Sequence, residues 1–291
     1  MDEPLFATAP DGAKLAYEVL GAQWVGRALP IVLIGGMTSL RGDWERLAKP
    51  LAARRPGMAA HRGMGDSTYS TPERDDDMSI ESLARDLLAL LTPLRWEEVA
   101  LCGFSMGGAV AQQLLLLPYH PTNAVPLPFR VSHVILASTL CATIWDRRYG
   151  LRLAPPAPRP LTPEERKARV KPILDSTFDP EWLADPANRE RYESLMNAML
   201  HGRGLHDKLP RSIKFLVIHG KKDSIVPFSS GEELLQRIPW ARGLTVGNQP
   251  GEVPSLAFGH QWFEYFDAAV WVGVVEGFMN GKPTTPEWSR L

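Results

Sequence analysis

Short apolar runs alternate along most of the chain with longer stretches of helical period. The stretch 79–94 repeats its apolar residues every three or four positions, as a helix with one buried face does, and Ser79 can cap its start. Ser230 and Glu233 have the spacing of a capping box and predict another helix start. Strands alternating with helices favour a mostly parallel, doubly wound α/β sheet. The predicted strands are Leu15–Leu20, Ile31–Ile34, Val99–Gly103, Val134–Ala137, Phe215–Ile218 and Gly243–Val246, with a weaker one at Gly57–Ala60.

The segment 140–210 departs from this alternation. It contains no strand-like run, its prolines cluster at Ala154–Pro160, and two Asp-Pro pairs are typical of helix starts. A helical insertion between two core strands predicts a lid over the carboxyl edge of the sheet, where open α/β sheets bind ligands. We therefore expect a core of residues 1–139 and 211–291 with an inserted helical lid at 140–210.

Charge and composition exclude several classes of function. Lys plus Arg number 32 and Asp plus Glu number 33, so the chain has no basic footprint for nucleic acid. Cys102 and Cys141 lack the spacing of a metal site, and Cys102 lies in an apolar strand, where a buried thiol is expected. No window approaches the roughly 18 uninterrupted apolar residues of a membrane span. The first ten residues lack the pattern of a secretory signal.

A serine between two glycines follows the strand Val99–Gly103 and precedes the helical stretch Ala109–Leu117. The sequence is G-x-S-x-G, with Gly103, Ser105 and Gly107 at the fixed positions. A sharp turn from strand to helix strains the central residue, and glycines two positions away prevent collisions across the turn. The alternative is a glycine-rich turn whose serine only caps the helix. Because strand, turn and helix follow in the required order, we predict that Ser105 is a nucleophile.

Three further motifs occur in the rest of the chain. They are R-G-x-G-x-S at Arg62–Ser67, H-G-x-x-D-x-x-V-P at His219–Pro227, and Gly259-His260 near the C-terminus. With G-F-S-M-G-G at 103–108, these motifs make the chain resemble the α/β-hydrolase family over nearly its whole length. The resemblance implies that family's fold and a hydrolase with a Ser-His-Asp triad.

The resemblance also implies which residues act as base and acid. The family order Ser, Asp, His requires a base after the last strand, and of the seven histidines His260 meets this condition. An imidazole suits the role because its ordinary pKa is about 6.5. Asp223 follows a predicted strand and can orient the base. The rival acid position, after the preceding strand, holds Ser138 and Thr139 instead of a carboxylate.

Tetrahedral intermediates of acyl transfer need two backbone N–H donors. The resemblance implies Met106, directly after the nucleophile, and the loop Gly35-Gly36-Met37, in which Met37 is the expected donor. The family usually has His-Gly where this chain has Gly35-Gly36, which leaves the backbone donor but changes how the loop is anchored. The residues expected to contact substrate are Gly36, Phe104, Trp145 and Trp182, with core packing as the alternative role of both tryptophans.

These residues predict hydrolysis of a carboxylic ester or lactone: Ser105 attacks the carbonyl, and His260 then activates water against the acyl-enzyme. We expect a small, apolar, ester-like substrate, with no metal and no organic cofactor. The same residues could cleave an amide, a thioester or an activated carbon–carbon bond. A ligand-binding receptor on the same scaffold, with little turnover, is the alternative outside enzymes.

The last three residues bear on location. Ser289-Arg290-Leu291 differs from the peroxisomal signal S-K-L by Arg for Lys. The expectation is a peroxisomal protein if the source is eukaryotic and a cytoplasmic one otherwise.

Overall fold

The computed structural model describes residues 4–37, 39, 41–60, 66–68, 79–141, 171, 175, 180–186 and 212–281. The strands of this part of the chain are β1 (Leu5–Thr8), β2 (Lys14–Leu20), β3 (Ile31–Ile34), β4 (Gly57–Ala60), β5 (Glu98–Phe104), β6 (Arg130–Ala137) and β7 (Lys214–Ile218). They form one sheet in the order β1-β2-β4-β3-β5-β6-β7. Strand β2 is antiparallel to both neighbours, whereas β4, β3, β5, β6 and β7 are parallel. The prediction of a mostly parallel sheet is confirmed.

Two details of the strand prediction need correction. The strand expected at Gly243–Val246 is wrong, because this segment makes only isolated bridges, Leu216 with Arg242 and Val246 with Val253. Pairing with β7 stops at Arg242, and Val246 then forms a parallel bridge with Val253, whose N–H donates to the carbonyl of Thr245 at 2.9 Å. Strand β1 was not expected, since its residues are largely exposed and owe their conformation to pairing with β2.

The α-helices within the described ranges are α1 (Glu45–Ala52), α2 (Ile80–Leu91), α3 (Met106–Leu116), α4 (Pro180–Ala184), α5 (Phe228–Arg237) and α6 (Ala268–Met279). Ser79 caps α2 as predicted, accepting a hydrogen bond of 3.0 Å from the N–H of Ser82. The expectation that Ser230 opens a helix is wrong. Pro227 is the cap of α5, and Ser230 lies in its first turn, where its N–H donates to the carbonyl of Pro227 at 2.8 Å.

Helices cover both faces of the sheet. On one face, α1 and α6 contribute buried side chains such as Leu47 and Trp271 to the same apolar cluster as Ile135 of β6. On the other face, α2, α3 and α5 pack in a second cluster with Val134, the neighbouring residue of the same strand. Successive strand residues point to opposite faces, so a strand covered on both sides must be apolar throughout. The doubly wound architecture is confirmed.

The predicted lid is described only in part. Pro180 is the first residue of α4, in agreement with the Asp-Pro pattern. Trp145, the proline cluster Ala154–Pro160 and most of 140–210 lie outside the described residues, so the lid and the domain division stay predictions. None of the described helices combines the length and apolar character needed to cross a bilayer.

Candidate active site

The serine of the G-x-S-x-G motif lies at the tight turn between β5 and α3. Ser105 has φ 53° and ψ −121°, a backbone conformation that residues other than glycine rarely adopt and that costs about 1–3 kcal/mol. Its N–H donates to the carbonyl of Ala137 at 2.9 Å. Its own carbonyl accepts from the hydroxyl of Thr139 at 2.6 Å and from the N–H of Gly108 at 3.0 Å. These bonds to the end of β6 and to α3 stabilise the strained turn.

The glycines around the turn are required by close backbone contacts. A Cβ on Gly103 would lie 2.5 Å from the carbonyl oxygen of Gly107. A Cβ on Gly107 would lie 2.1 Å from the carbonyl oxygen of Ile34 and 2.5 Å from that of Gly35. The motif therefore lets the first turn of α3 rest directly on the loop after β3.

Two side chains from distant parts of the chain extend a line of hydrogen bonds from the serine hydroxyl. His260 lies in the loop before α6, and its Nε2 is 3.0 Å from Oγ of Ser105. Its Nδ1 is 2.9 Å from Oδ2 of Asp223, which follows β7. Both side chains are buried, whereas Ser105 is partly exposed to solvent. The three predicted residues thus form one continuous chain of hydrogen bonds, and its outer end is accessible.

The carboxylate of Asp223 is surrounded by donors. Its Oδ1 accepts from the backbone N–H groups of Ile225 and Val226, each at 2.9 Å. Burial opposes ionisation, but the charge of His260 and the hydrogen bonds from His219 and His260 outweigh it. The pKa of Asp223 therefore lies well below its ordinary value of 3.8. An ionised acid keeps the hydrogen of His260 on Nδ1, which leaves Nε2 free to accept the serine proton.

The sequence reasoning missed His219 as a partner of the acid. Its ring is fully buried, and its Nε2 lies 3.0 Å from the carbonyl oxygen of Val226 and 3.4 Å from Oδ2 of Asp223. Because a carbonyl can only accept, Nε2 carries a hydrogen, and this hydrogen also faces the carboxylate. The i, i+4 spacing within the H-G-x-x-D motif was the available signal.

The loop after β3 is anchored by a serine that the sequence reasoning did not single out. The N–H of Gly36 donates to Oγ of Ser39 at 3.0 Å, and the N–H of Ser39 donates back to the carbonyl of Gly36 at 3.2 Å. The N–H of Gly36 is therefore engaged, which is consistent with Met37 as the donor on this loop. Met106 begins α3, and a first helical residue has no intrahelical acceptor for its N–H. The assignment of Met37 and Met106 as oxyanion donors stays a prediction.

The residues expected to contact substrate have different positions. Gly36 is next to Ser105, since a Cβ on it would lie 2.9 Å from Cβ of Ser105. Phe104 is 2% exposed and packs its ring 5.0 Å from that of His260. Trp182 is buried, with its ring 6.5 Å from that of Tyr265. Trp145 lies outside the described residues. Phe104 and Trp182 therefore take part in core packing, and their contact with substrate stays a prediction.

No group of three or more His, Cys, Asp and Glu side chains within the described ranges is arranged to hold a metal ion. The residues at the site offer instead a hydroxyl, an imidazole and a carboxylate, which together can activate the hydroxyl for attack on a carbonyl carbon.

Comparison with known proteins agrees with this geometry. A family model described as the α/β-hydrolase fold matches residues 30–167. A protein of Azorhizobium caulinodans whose name assigns it to carbamate hydrolysis is 28% identical over 248 residues, covering 79% of this chain and 85% of its own length. The pimeloyl-[acyl-carrier protein] methyl ester esterase of Aeromonas hydrophila is 26% identical over 263 residues, covering 83% of this chain and 95% of its own length. An esterase structure from a Rhodococcus species superposes with a TM-score of 0.68 at 23% identity, covering 97% of this chain and 100% of that one.

The two curated relatives are bacterial and named as hydrolases, which supports a hydrolase of the same class. Their source lends no support to a peroxisomal location, and Ser289-Arg290-Leu291 lies outside the described residues. Three observations indicate the same fold: the mostly parallel sheet with helices on both faces, the turn at Ser105, and the match to the family model. The chain has the α/β-hydrolase fold.

Proposed function

We propose that the protein hydrolyses a carboxylic ester or lactone through an acyl-enzyme on Ser105. One observation carries the proposal: a partly exposed hydroxyl on a strained turn lies 3.0 Å from an imidazole nitrogen, and the other nitrogen of that ring lies 2.9 Å from a buried carboxylate. This arrangement supplies a nucleophile, a base and an orienting acid in sequence.

The first half of the reaction forms the acyl-enzyme. His260 takes the proton of the Ser105 hydroxyl through Nε2 while Oγ attacks the carbonyl carbon of the substrate. The resulting imidazolium is stabilised by the ionised Asp223. As the tetrahedral intermediate collapses, His260 gives this proton to the leaving alcohol oxygen, and the acyl group remains on Oγ.

The second half releases the acid. With the alcohol gone, Nε2 of His260 takes a proton from a water molecule that attacks the acyl carbon, and the proton returns to Oγ of Ser105. Both tetrahedral intermediates carry a negative oxygen, and the N–H groups of Met37 and Met106 are the proposed donors to it. Each such donor typically contributes about 2.7–4 kcal/mol of transition-state stabilisation.

We propose esters and lactones as substrates, and not amides, because one of the relatives is named for the cleavage of a methyl ester. Both kinds of substrate have an alkoxide leaving group that needs one proton from His260.

A fluorophosphonate probe tests the nucleophile, and a panel of nitrophenyl esters and lactones of graded acyl length tests turnover. We expect labelling and turnover in the wild type and neither in Ser105→Ala. Ser138→Ala is a matched control, because the Ser138 hydroxyl is buried at the end of β6 without a hydrogen-bond partner among the described residues. Rapid labelling with no turnover of any ester or lactone would refute the proposal and favour the receptor or another acyl chemistry.

A further inference from the structure

An arginine from the opposite end of the sequence binds the loop that carries His260. We call residues 260–266 the base loop. Arg46, on α1, donates from Nη1 to the carbonyl of Phe263 at 3.2 Å and to that of Glu264, and from Nη2 to that of Phe266. One guanidinium therefore binds three backbone carbonyls within six residues of His260.

These carbonyls need donors from outside the base loop. The loop contains a 3-10 turn at Trp262–Glu264, and the last carbonyls of a helical turn have no partner within it. Phe266 has φ +62°, a conformation that prevents a regular continuation of the chain. The carbonyl between those of Glu264 and Phe266 belongs to Tyr265 and accepts from Nε1 of Trp271 at 2.5 Å. Side chains thus bind four consecutive carbonyls.

The charge and shape of Arg46 suit this position. The carboxylate of Glu264, which is 3% exposed, lies 3.8 Å from Nη1, so the guanidinium also faces a buried negative charge. A guanidinium has five donors in a rigid planar fork, whereas an ammonium is a point charge that cannot reach three fixed carbonyls in the same geometry. Lysine should therefore replace Arg46 only in part.

The start of α1 also contacts the nucleophile's surroundings. Trp44, directly before the helix, packs its ring 5.1 Å from that of Phe263 and 6.2 Å from that of Phe104. The ring of Phe104 in turn lies 5.0 Å from His260 and is adjacent in sequence to Ser105. The base loop and the nucleophile turn are therefore held against the same structural element.

We propose that Arg46 is a positioning residue of the hydrolase: it fixes the base loop so that Nε2 of His260 stays 3.0 Å from Oγ of Ser105. This inference rests on the proposed function. Arg46 touches neither reacting atom and acts through the loop backbone. A displacement of about 1 Å in a catalytic group, caused by a change away from the reacting atoms, can lower turnover about 10²-fold.

The test compares Arg46→Ala and Arg46→Lys with Lys49→Ala in ester hydrolysis. Lys49 is a matched control, since it is a cation on the same helix with a side chain that is 65% exposed and pairs with Glu45. We expect kcat to fall roughly 10²-fold in Arg46→Ala with little change in KM, to fall less in Arg46→Lys, and to stay unchanged in Lys49→Ala. Free guanidinium at low concentration should restore part of kcat in Arg46→Ala, because the Arg46 side chain is 35% exposed and its site can be reached from solvent.

A second comparison separates positioning from general stability. In a His260→Ala background, Arg46→Ala should cause no further loss of the residual rate, because the group it positions is absent. A further loss of similar size there would overturn the inference, as would wild-type kcat in Arg46→Ala. If Arg46→Ala does not fold, Arg46→Lys alone decides, and a wild-type kcat in that variant at normal stability overturns the inference.

Failure of the proposed function has a different signature. If the wild type hydrolyses no ester or lactone, the proposed function is wrong while Arg46 can still be tested through the rate of fluorophosphonate labelling of Ser105, which depends on His260. Equal labelling rates in the wild type and Arg46→Ala would then refute the positioning role.

Discussion

Exchanging Asp223 for Asn should move the ring hydrogen of His260 from Nδ1 to Nε2. Oδ1 of Asp223 accepts from the N–H groups of Ile225 and Val226 at 2.9 Å each. In Asp223→Asn, the new side chain can keep both bonds only if its amide oxygen takes the position of Oδ1, which turns its NH₂ group toward Nδ1 of His260. Since NH₂ can only donate, Nδ1 must accept, and the ring hydrogen moves to Nε2, where it faces Oγ of Ser105.

The size of the effect follows from this change of tautomer. A base whose Nε2 carries the hydrogen cannot take the serine proton, and a triad locked in this state turns over about 10⁴-fold more slowly. At 1.36 kcal/mol for each tenfold step, this is about 5.4 kcal/mol of transition-state stabilisation. The loss of folding stability should be smaller, about 1–3 kcal/mol, because the two backbone bonds at this position are kept.

Steady-state hydrolysis of a nitrophenyl ester measures the loss of turnover in Asp223→Asn, and urea denaturation measures the loss of folding stability. Asp267→Asn serves as a control, because Asp267 caps α6 by accepting from the N–H of Ala269 at 2.7 Å and does not contact His260 in the described structure. Its kcat should equal that of the wild type. If folded Asp223→Asn turned over within roughly tenfold of the wild type, Asp223 would not be the orienting acid.

Three further predictions concern the scaffold. Glu276→Gln leaves the buried Arg55 without its charged partner, at 2.6 Å, and should cost about 3–5 kcal/mol in urea denaturation. Burial opposes ionisation of Glu276, but the hydrogen bonds and charge of Arg55 outweigh burial and lower the pKa of Glu276 below 4.5. The difference in unfolding free energy between wild type and variant should therefore be complete above pH 4.5 and shrink as the pH falls through the lowered pKa. A difference that does not change with pH would contradict this. Gly107→Ala should abolish fluorophosphonate labelling, because its Cβ would lie 2.1 Å from a carbonyl oxygen of β3, and normal labelling would show that the turn can relax. Burial raises the pKa of both Cys102 and Cys141 to about 12, so a thiol reagent at mildly alkaline pH should react with them only after unfolding, and rapid reaction of the folded protein would argue against this burial.

Local constraints explain what could be predicted from the sequence. Gly103 is needed because its Cβ would collide with Gly107 and Gly108, and such a short-range contact leaves a fixed spacing in the chain. Gly107 is needed because its Cβ would collide with the carbonyls of Ile34 and Gly35, a contact between distant segments. Ile31–Ile34 was recognised as a strand because a strand buried on both faces must be apolar at every position. The same reasoning failed at Gly243–Val246, where pairing with β7 stops at Arg242 and Val246 pairs with Val253 instead.

The sequence by itself determined the fold class, the tight turn at Ser105 and the order in which Asp223 and His260 follow it. Only the tertiary structure decided that His260 reaches Ser105 across 155 residues and that Arg46 binds carbonyls more than 200 residues away. A backbone carbonyl accepts a hydrogen bond whatever side chain its residue carries, so a contact between a distant donor and the backbone leaves no pattern at the accepting residues. Such contacts exist only once the sheet has brought both segments to the same edge.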